Sequence, residues 1–184
     1  MASITVKLSL LKQGAGAGCY VYTRPAMAAI ATVRLQLAAT NPINEHSRLA
    51  GHKTHNYMEN MLLLESARAE GYSDVLRVNS AGVLAETTLA NLFFIKQGRL
   101  CTPALSTGIL PGVIRAEVLR LAESLAIPVE EGSYSPAVLQ EAEAVFLTNS
   151  SVGIRFMDTI SGGGLDLMVP GEPRPLLDAL TSAL

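Results

Sequence analysis

The residues best suited to chemistry lie in a short polar segment ahead of a predicted helix. The sequence Gly51-His52-Lys53-Thr54-His55-Asn56-Tyr57 places a lysine beside two imidazoles and a phenol. A lysine in such company at a partly buried site loses its proton more easily, and the neutral amine attacks carbonyl carbons. A polar helix entry with nothing bound has the same composition, so this segment alone does not decide between the two interpretations.

A second candidate is Glu86, at the end of a predicted strand and followed by Thr87-Thr88-Leu89-Ala90-Asn91. A carboxylate that faces a cavity from this position can accept a hydrogen bond from a ring nitrogen of a bound cofactor and keep that nitrogen protonated, as in pyridoxal chemistry. Glutamates on hairpins are commonly solvated, however. Glu86 therefore becomes informative only together with the other candidates.

Two further segments are able to cradle an anion. Gly108-Ile109-Leu110-Pro111-Gly112-Val113-Ile114 leads into a predicted helix, whose free N–H groups and dipole favour a phosphate. Thr148-Asn149-Ser150-Ser151 follows a predicted buried strand and offers hydroxyl and amide groups. Arg115, just inside the helix, either assists the anion site or pairs with an acidic residue at the surface. Many helix starts and polar loops share these properties, so each segment is weak evidence alone.

Hydrophobic periodicity and turn residues predict the elements that must position these groups. The first helix is predicted to run from a capping box of Asn56 and Glu59 to Gly71. Two more are predicted after Pro111-Gly112 and from Ser135-Pro136, with a last one at the C-terminus. The predicted strands cover residues 3–11, 27–37, 74–79, 83–86, 91–96, 99–102, 127–129 and 144–147, and a final strand follows a turn at 162–164.

Short turns separate several of these strands, which indicates hairpins more than crossovers. Gly14, Gly16 and Gly18 are expected to break the first strand as a flexible turn, and Asn41-Pro42 to end the second. The predicted fold class is α/β (α+β-like): a single domain with a mixed, hairpin-rich sheet packed by helices.

Composition limits the kinds of partner. The chain has 184 residues, of which 49% are hydrophobic and 16% charged, so it suits one packed globular domain. A formal net charge of -2 offers no electrostatic footprint for nucleic acid or an anionic membrane. Cys19 and Cys101 form neither a disulfide framework nor a metal cluster, and we expect both to be buried free thiols in a reducing cytoplasm. Without a leader or an apolar span in this sequence, a cytoplasmic protein is expected.

In this order and at these separations, the four candidate segments resemble the motifs of class IV (fold-type IV) aminotransferases. That family includes branched-chain aminotransferases, D-amino-acid aminotransferases and 4-amino-4-deoxychorismate lyases. The resemblance covers roughly residues 45–157, and four motifs in order are hard to obtain by chance. The matching stretches are residues 53–60, 83–93, 102–103 with 108–115, and 145–151. Residues 4–44 are similar to the opening strands of the family's large domain.

The resemblance implies pyridoxal 5′-phosphate as the cofactor and a role for each matching residue. Lys53 would form the cofactor imine and carry the catalytic proton. Glu86 would hold the protonated pyridine nitrogen, and Tyr57 would hydrogen-bond the phenolic oxygen. Asn91 would support the second motif from behind.

The same resemblance implies a phosphate site without a metal ion. The backbone amides of Val113 and Ile114 would hold the phosphate, and Ser150 would add a hydroxyl. Ile114 stands where the family usually has a threonine, so one hydroxyl contact is missing. Ala90 replaces the usual serine or glutamate, and the four-residue step from Lys53 to Tyr57 is typical of the lyase and D-amino-acid branches. Ala90 counts against a branched-chain aminotransferase, and the Glu86-Thr87-Thr88 form of the second motif, together with the short step from Lys53 to Tyr57, slightly favours the lyase.

Family members begin with a smaller N-terminal domain of on the order of a hundred residues. It supplies an arginine to the phosphate, much of the substrate pocket and part of the dimer contact. Residues 1–184 are therefore expected to be the large cofactor-binding domain, whether of a fragment, a mis-started reading frame or a reduced protein. The resemblance implies a homodimer acting on an amino acid or a chorismate-derived substrate. The alternatives are a catalytically impaired domain that serves as a binding or oligomerisation module, or an α/β domain without a cofactor.

Overall fold

The structure is a computed structural model that describes residues 4–25 and 32–169. The chain divides into two compact units, Met1–Ile30 and Ala31–Leu184. Within these ranges, no helix has the length and apolar character needed to cross a membrane.

The first unit contains one antiparallel hairpin of β1 (Ile4–Gln13) and β2 (Gly16–Pro25). Gly14, with a φ of 58°, occupies its turn, whereas Gly16 and Gly18 lie inside the second strand. The expected break of the first strand is therefore confirmed at Gly14 and wrong at Gly16 and Gly18. β1 and β2 form a two-stranded sheet of their own.

The second unit is built around a ten-stranded mixed sheet, which confirms the predicted fold class. Strand β3 is parallel to β4 and to β11, and β7 is parallel to β8, while the remaining pairs are antiparallel. The strands are β3 (Arg34–Ile43), β4 (Asp74–Asn79), β5 (Leu84–Thr87), β6 (Asn91–Lys96), β7 (Arg99–Pro103), β8 (Val129–Gly132), β9 (Ala144–Asn149), β10 (Gly153–Phe156), β11 (Thr159–Gly162) and β12 (Leu165–Met168).

The centre of this sheet is buried on both faces. Along β6, Leu92 and Phe94 join one apolar cluster, whereas Phe93 and Ile95 join the other. Successive side chains of a strand point to opposite faces, so a strand covered on both sides needs a continuous apolar run. That requirement explains the sequence Leu92-Phe93-Phe94-Ile95 and fixes the position of Asn91 at its start.

The helices of the second unit are α1 (Met58–Ala69) and α2 (Val113–Ser124), with 3₁₀ turns at Leu105–Thr107 and Pro136–Glu141. Helix α2 packs Val118 and Leu121 into the cluster that contains Phe93 and Phe146. Burial of this apolar stripe, more than intrinsic propensity, stabilises such a helix against the sheet.

Several predicted boundaries were wrong in detail. Helix α1 begins at Met58 without a side-chain cap, because Glu59 pairs with Arg77 in place of forming a capping box. Strand β3 does not end at Asn41 but continues to Ile43. Its pairing with β4 shifts register between Ala38 and Ile43. Ser135 likewise makes no side-chain cap, and only a 3₁₀ turn follows it. The predicted C-terminal helix, and the strand residues expected before 32, lie outside the described residues.

Strand β8 begins at Val129, where it pairs in parallel with β7, so the strand predicted at 127–129 starts later than expected. Cys101 is buried and free as predicted, but Cys19 is exposed, because its position in the first hairpin is open to solvent.

Candidate active site

The loop before α1 presents Lys53 and Tyr57 together. Lys53 is exposed, and its Nζ lies 4.5 Å from the centroid of the Tyr57 ring, within range of a cation–π contact. The Tyr57 hydroxyl donates to the carbonyl oxygen of Thr88 at 2.6 Å. Asn60, one turn later, donates its Nδ2 to the same carbonyl at 3.0 Å. Thr88 therefore joins the lysine loop to the segment that follows Glu86.

Glu86 lies in β5 and is only partly exposed. Its Oε2 accepts hydrogen bonds from Asn91 Nδ2 at 2.9 Å and from the backbone N–H of Leu110 at 3.1 Å. Burial raises the pKa of Glu86 from its ordinary value of 4.5 to about 7, against the N–H of Leu110 and the charges of Lys53, Arg77 and Arg115. The carboxyl group therefore exchanges its proton near neutral pH.

Asn91 connects the second and third motifs. Besides Glu86, its Nδ2 donates to the carbonyl oxygen of Leu110 at 2.8 Å. A Cβ atom added to Gly112 would lie 2.1 Å from Asn91 Oδ1, a separation that real atoms do not adopt. The predicted supporting position of Asn91 behind Glu86 agrees with these contacts. The requirement for glycine at 112 follows only from the structure.

Gly112 is also the N-cap of α2, and no side chain caps this helix. The first N–H groups of a helix have no partner within it, so those of Val113 and Ile114 remain available to an anion. The Val113 side chain is exposed, and that of Ile114 is partly buried. The binding of a phosphate by these two N–H groups remains a prediction.

Arg115 pairs with an acidic residue, as one of the two alternatives from the sequence expected, but it is buried and not at the surface. It is 4% exposed, and its Nη2 donates to the carbonyl oxygen of Pro103 at 3.0 Å and pairs with Glu131. A guanidinium in such a site is retained because hydrogen bonds and an opposite charge compensate its burial. Arg115 therefore anchors the first turn of α2 to β7 and β8.

The fourth segment follows β9 as a tight turn. Asn149 Oδ1 accepts the N–H groups of Ser151 and Val152 at 2.9 and 3.0 Å, and its Nδ2 donates to the carbonyl oxygen of Leu89 at 3.3 Å. Ser150 is exposed within this turn. Thr148 pairs with Asn91 in the β6–β9 register, so the turn begins beside the Asn91 site.

Hydrogen bonds and strand register thus connect all four segments, but to different degrees. The charge of Lys53 acts on Glu86, and Tyr57 is hydrogen-bonded to Thr88, two residues after Glu86. Asn91 connects Glu86 to Leu110, just before the start of α2. The turn that contains Ser150 joins through the pairing of Thr148 with Asn91 and through Leu89. No contact joins Ser150 itself to the other predicted site residues within the described ranges.

Sequence reasoning missed two side chains that support this arrangement. Asn60 and Arg77 are hydrogen-bonded to each other at 2.8 Å, between α1 and β4. The available signal was Arg77 itself, a charged residue inside the otherwise apolar run Val75-Leu76-Arg77-Val78.

The family assignment rests on most of the chain. The family model for amino-transferase class IV matches residues 3–160. This chain belongs to the class IV aminotransferases. The family is dependent on pyridoxal 5′-phosphate.

Curated relatives of this class IV aminotransferase family member carry two names. A branched-chain-amino-acid aminotransferase of Escherichia coli is 31% identical over 125 residues, which are 68% of this chain and 39% of that protein. An aminodeoxychorismate lyase of Vibrio harveyi is 32% identical over 113 residues, which are 61% of this chain and 42% of that protein. The chain thus spans about two fifths of the length of these relatives.

A solved structure extends the likeness to nearly the whole chain. The branched-chain amino acid aminotransferase of Thermobaculum terrenum, in its pyridoxal-phosphate form, superposes with a TM-score of 0.79 at 26% identity. The match covers 98% of this chain and 62% of that one. The mixed sheet with few helices is therefore the fold of these enzymes.

Proposed function

We propose that this chain contributes the large, cofactor-binding part of an enzyme that uses pyridoxal 5′-phosphate to act on an amino acid or on aminodeoxychorismate. The observation that carries the proposal is the arrangement around Glu86. One carboxylate oxygen is tied to Asn91 and Leu110, and within the described residues the other oxygen accepts no hydrogen bond. That leaves one acceptor for the ring N–H of a pyridine cofactor.

The remaining donors fit the other groups of this cofactor. Lys53 supplies the amine for its aldehyde, and the Tyr57 oxygen retains acceptor capacity beside the lysine while its proton points to Thr88. The uncapped start of α2 offers the N–H groups of Val113 and Ile114 to the phosphate. The exposed hydroxyl of Ser150 is proposed as a further phosphate ligand.

When bound, the cofactor supplies an electron sink for charge that develops at the substrate α-carbon. In the proposed mechanism Lys53 Nζ removes and returns the α-proton, as the amine best placed to do so. Glu86 keeps the ring nitrogen protonated, and Asn91 holds the Glu86 carboxylate in place. Tyr57 orients Lys53 through the face of its ring.

Two reactions begin in this way, and they differ in what leaves next. Elimination of pyruvate from aminodeoxychorismate gives 4-aminobenzoate, and transfer of the amino group gives an amino acid from a 2-oxo acid. The four-residue step from Lys53 to Tyr57, and Ala90 in place of glutamate, slightly favour the lyase. The choice between them follows from the product found with each substrate.

The test is an absorbance spectrum of the purified protein with added pyridoxal phosphate. We expect a visible band in the wild type that Lys53→Ala lacks, because only the Lys53 amine is placed to condense with the aldehyde. Lys96→Ala is the matched control. Lys96 lies on β6 and is ion-paired with Glu141, so its replacement should leave the band unchanged. A band of equal strength in Lys53→Ala, or none in the wild type, would contradict the proposal and favour a domain that retains only the fold.

We propose a homodimer, supported by the exposed apolar side chains on one face of the β1–β2 hairpin. We propose the cytoplasm as the compartment, because Cys19 and Cys101 are both free thiols.

A further inference from the structure

Arg77 is an exceptional residue in the centre of the larger sheet. All six residues of β4 are buried, and Arg77 is 4% exposed. Its Nη1 donates to Asn60 Oδ1 at 2.8 Å, and its Nη2 donates to the carbonyl oxygen of Asn41 at 2.8 Å and to Glu59 Oε2 at 3.0 Å. Its Nε is buried without a hydrogen-bond partner. Even with these partners, moving a guanidinium from water to the centre of a sheet costs free energy, so a role of Arg77 beyond packing is to be expected.

The contact with Asn60 gives the guanidinium a path to the lysine loop. Because Asn60 Oδ1 accepts from Arg77, its Nδ2 is directed to the Thr88 carbonyl. The hydroxyl of Tyr57 donates to that same carbonyl. Arg77 thereby fixes both the amide orientation of Asn60 and the first turn of α1, and these hold the Tyr57 ring against Lys53.

Strand pairing places Arg77 close to Glu86, because Leu76 of β4 pairs with Thr87 of β5 and the next residues along these antiparallel strands are Arg77 and Glu86. Three cations act on that carboxylate: Lys53 from the loop before α1, Arg77 from β4 and Arg115 from α2. The two hydrogen-bond partners of Glu86, Asn91 and Leu110, are neutral. Lys53 gives up its ammonium charge whenever its nitrogen attacks a carbonyl, whereas a guanidinium stays protonated at any working pH. Arg77 and Arg115 are then the positive charges that remain near Glu86.

We propose that Arg77 is a positioning residue of this site, which fixes Tyr57 through Asn60 and the Thr88 carbonyl and supplies a permanent positive charge to the surroundings of Glu86. The part that concerns Tyr57 and Lys53 rests on the proposed function. The part that concerns Glu86 is independent of any cofactor, so the two are tested separately.

The first experiment compares cofactor-free proteins. The pKa of Glu86 is measured by carbon NMR of its carboxyl group in the wild type, Arg77→Met, Arg77→Lys and Arg120→Met. Methionine keeps the length of the side chain without its charge, and Arg120 is an exposed arginine of α2 paired with Glu117. We expect the Glu86 pKa to rise in Arg77→Met and to stay near the wild-type value in Arg77→Lys and Arg120→Met. An unchanged value in Arg77→Met would overturn the proposed charge.

The second experiment follows pyridoxal-phosphate binding by absorbance between pH 5 and 9. In Arg77→Met we expect affinity about tenfold weaker at pH 7, with the loss of affinity at acidic pH beginning at a higher pH. Asn60→Ala keeps the charge and breaks the path to Tyr57, so it should weaken binding without moving that pH dependence. Wild-type affinity in Asn60→Ala would overturn the positioning role.

The two experiments separate the possible failures. A wild-type protein that shows no absorbance band contradicts the proposed function. The titration of Glu86 still decides whether the charge of Arg77 acts on that carboxylate. Should Arg77→Met fail to fold, Arg77→Lys and Asn60→Ala replace it. The Arg77→Lys protein must then keep the pH dependence of cofactor binding but bind more weakly, because lysine makes a weaker contact with Asn60. Wild-type behaviour in both Arg77→Lys and Asn60→Ala overturns the proposal.

Discussion

The protonation of Glu86 affects both the stability of the protein and its proposed chemistry. Its pKa of about 7 in the folded protein exceeds its ordinary value of 4.5, so the folded state binds this proton more tightly than the unfolded state. Between these two values the free energy of unfolding contributed by Glu86 therefore falls as the pH rises, and above pH 7 the loss is complete. A group that lowers stability at working pH is typical of a functional site.

Replacement of Glu86 by glutamine should remove this penalty. Gln retains a carbonyl oxygen for the N–H groups of Asn91 and Leu110 but carries no charge. Without cofactor, we expect Glu86→Gln to be more stable than the wild type at pH 8, by on the order of 2 kcal/mol, with little difference at pH 4.5. Urea unfolding at both pH values measures this, with the exposed Glu123→Gln as the control. Equal stability at pH 8 would contradict it.

At the scale of elements, the contact between the start of α2 and the start of β6 is the critical junction. The Gly112 backbone lies directly against the Asn91 amide, and that amide holds Glu86 and Leu110. The N-terminus of a helix and a carboxylate in the sheet are thereby positioned by one side chain. This explains why the helix begins with glycine although serine or aspartate would cap it better.

Gly112→Ala should disrupt this junction. The new methyl group must displace Asn91, so we expect a loss of about 1–3 kcal/mol in the free energy of unfolding and a weaker absorbance band with pyridoxal phosphate. Thermal unfolding and cofactor titration measure the two effects. Gly16→Ala is the matched control, because its Cβ would meet nothing closer than 3.7 Å. A Gly112→Ala protein that matches this control in both measurements would show that the junction relaxes without consequence.

At the scale of the whole molecule, the β1–β2 hairpin presents an unpartnered apolar face. Ile4, Val6, Leu8 and Leu10 alternate along β1 and so share one side, and each is more than half exposed. Val21 lies opposite Leu8 on β2 and is also exposed. A two-stranded hairpin is marginally stable by itself, so a partner surface for this face would stabilise it.

A charge placed on this face should therefore reduce self-association. We expect Leu8→Lys to shift the proposed homodimer toward monomer, because a buried ammonium without a partner opposes association. Sedimentation velocity over a range of protein concentrations measures the shift. Lys7→Glu, which changes charge on the opposite side of the same strand, should leave the association unchanged. If Leu8→Lys sediments as the wild type does, this face is not the dimer contact.

The sequence by itself determined the family, the types of residue that do the chemistry and most of the elements. The four motifs are local patterns, and the hairpins of residues 74–87 and 91–103 follow from alternation and turn residues within a few positions. Helix α1 was likewise predicted nearly to its end at Ala69. Such features depend on neighbours in the chain, so a single sequence contains the information for them.

Only the tertiary structure decided which side chains support the site. The contact of Asn91 with Gly112, the buried ion pair of Arg115 and the path from Arg77 through Asn60 to Tyr57 each join elements distant in sequence. Glu59 was expected in a capping box, yet it pairs with Arg77 because the fold brings β4 beneath α1. The energy of such contacts depends on burial and on partners, and a local pattern specifies neither.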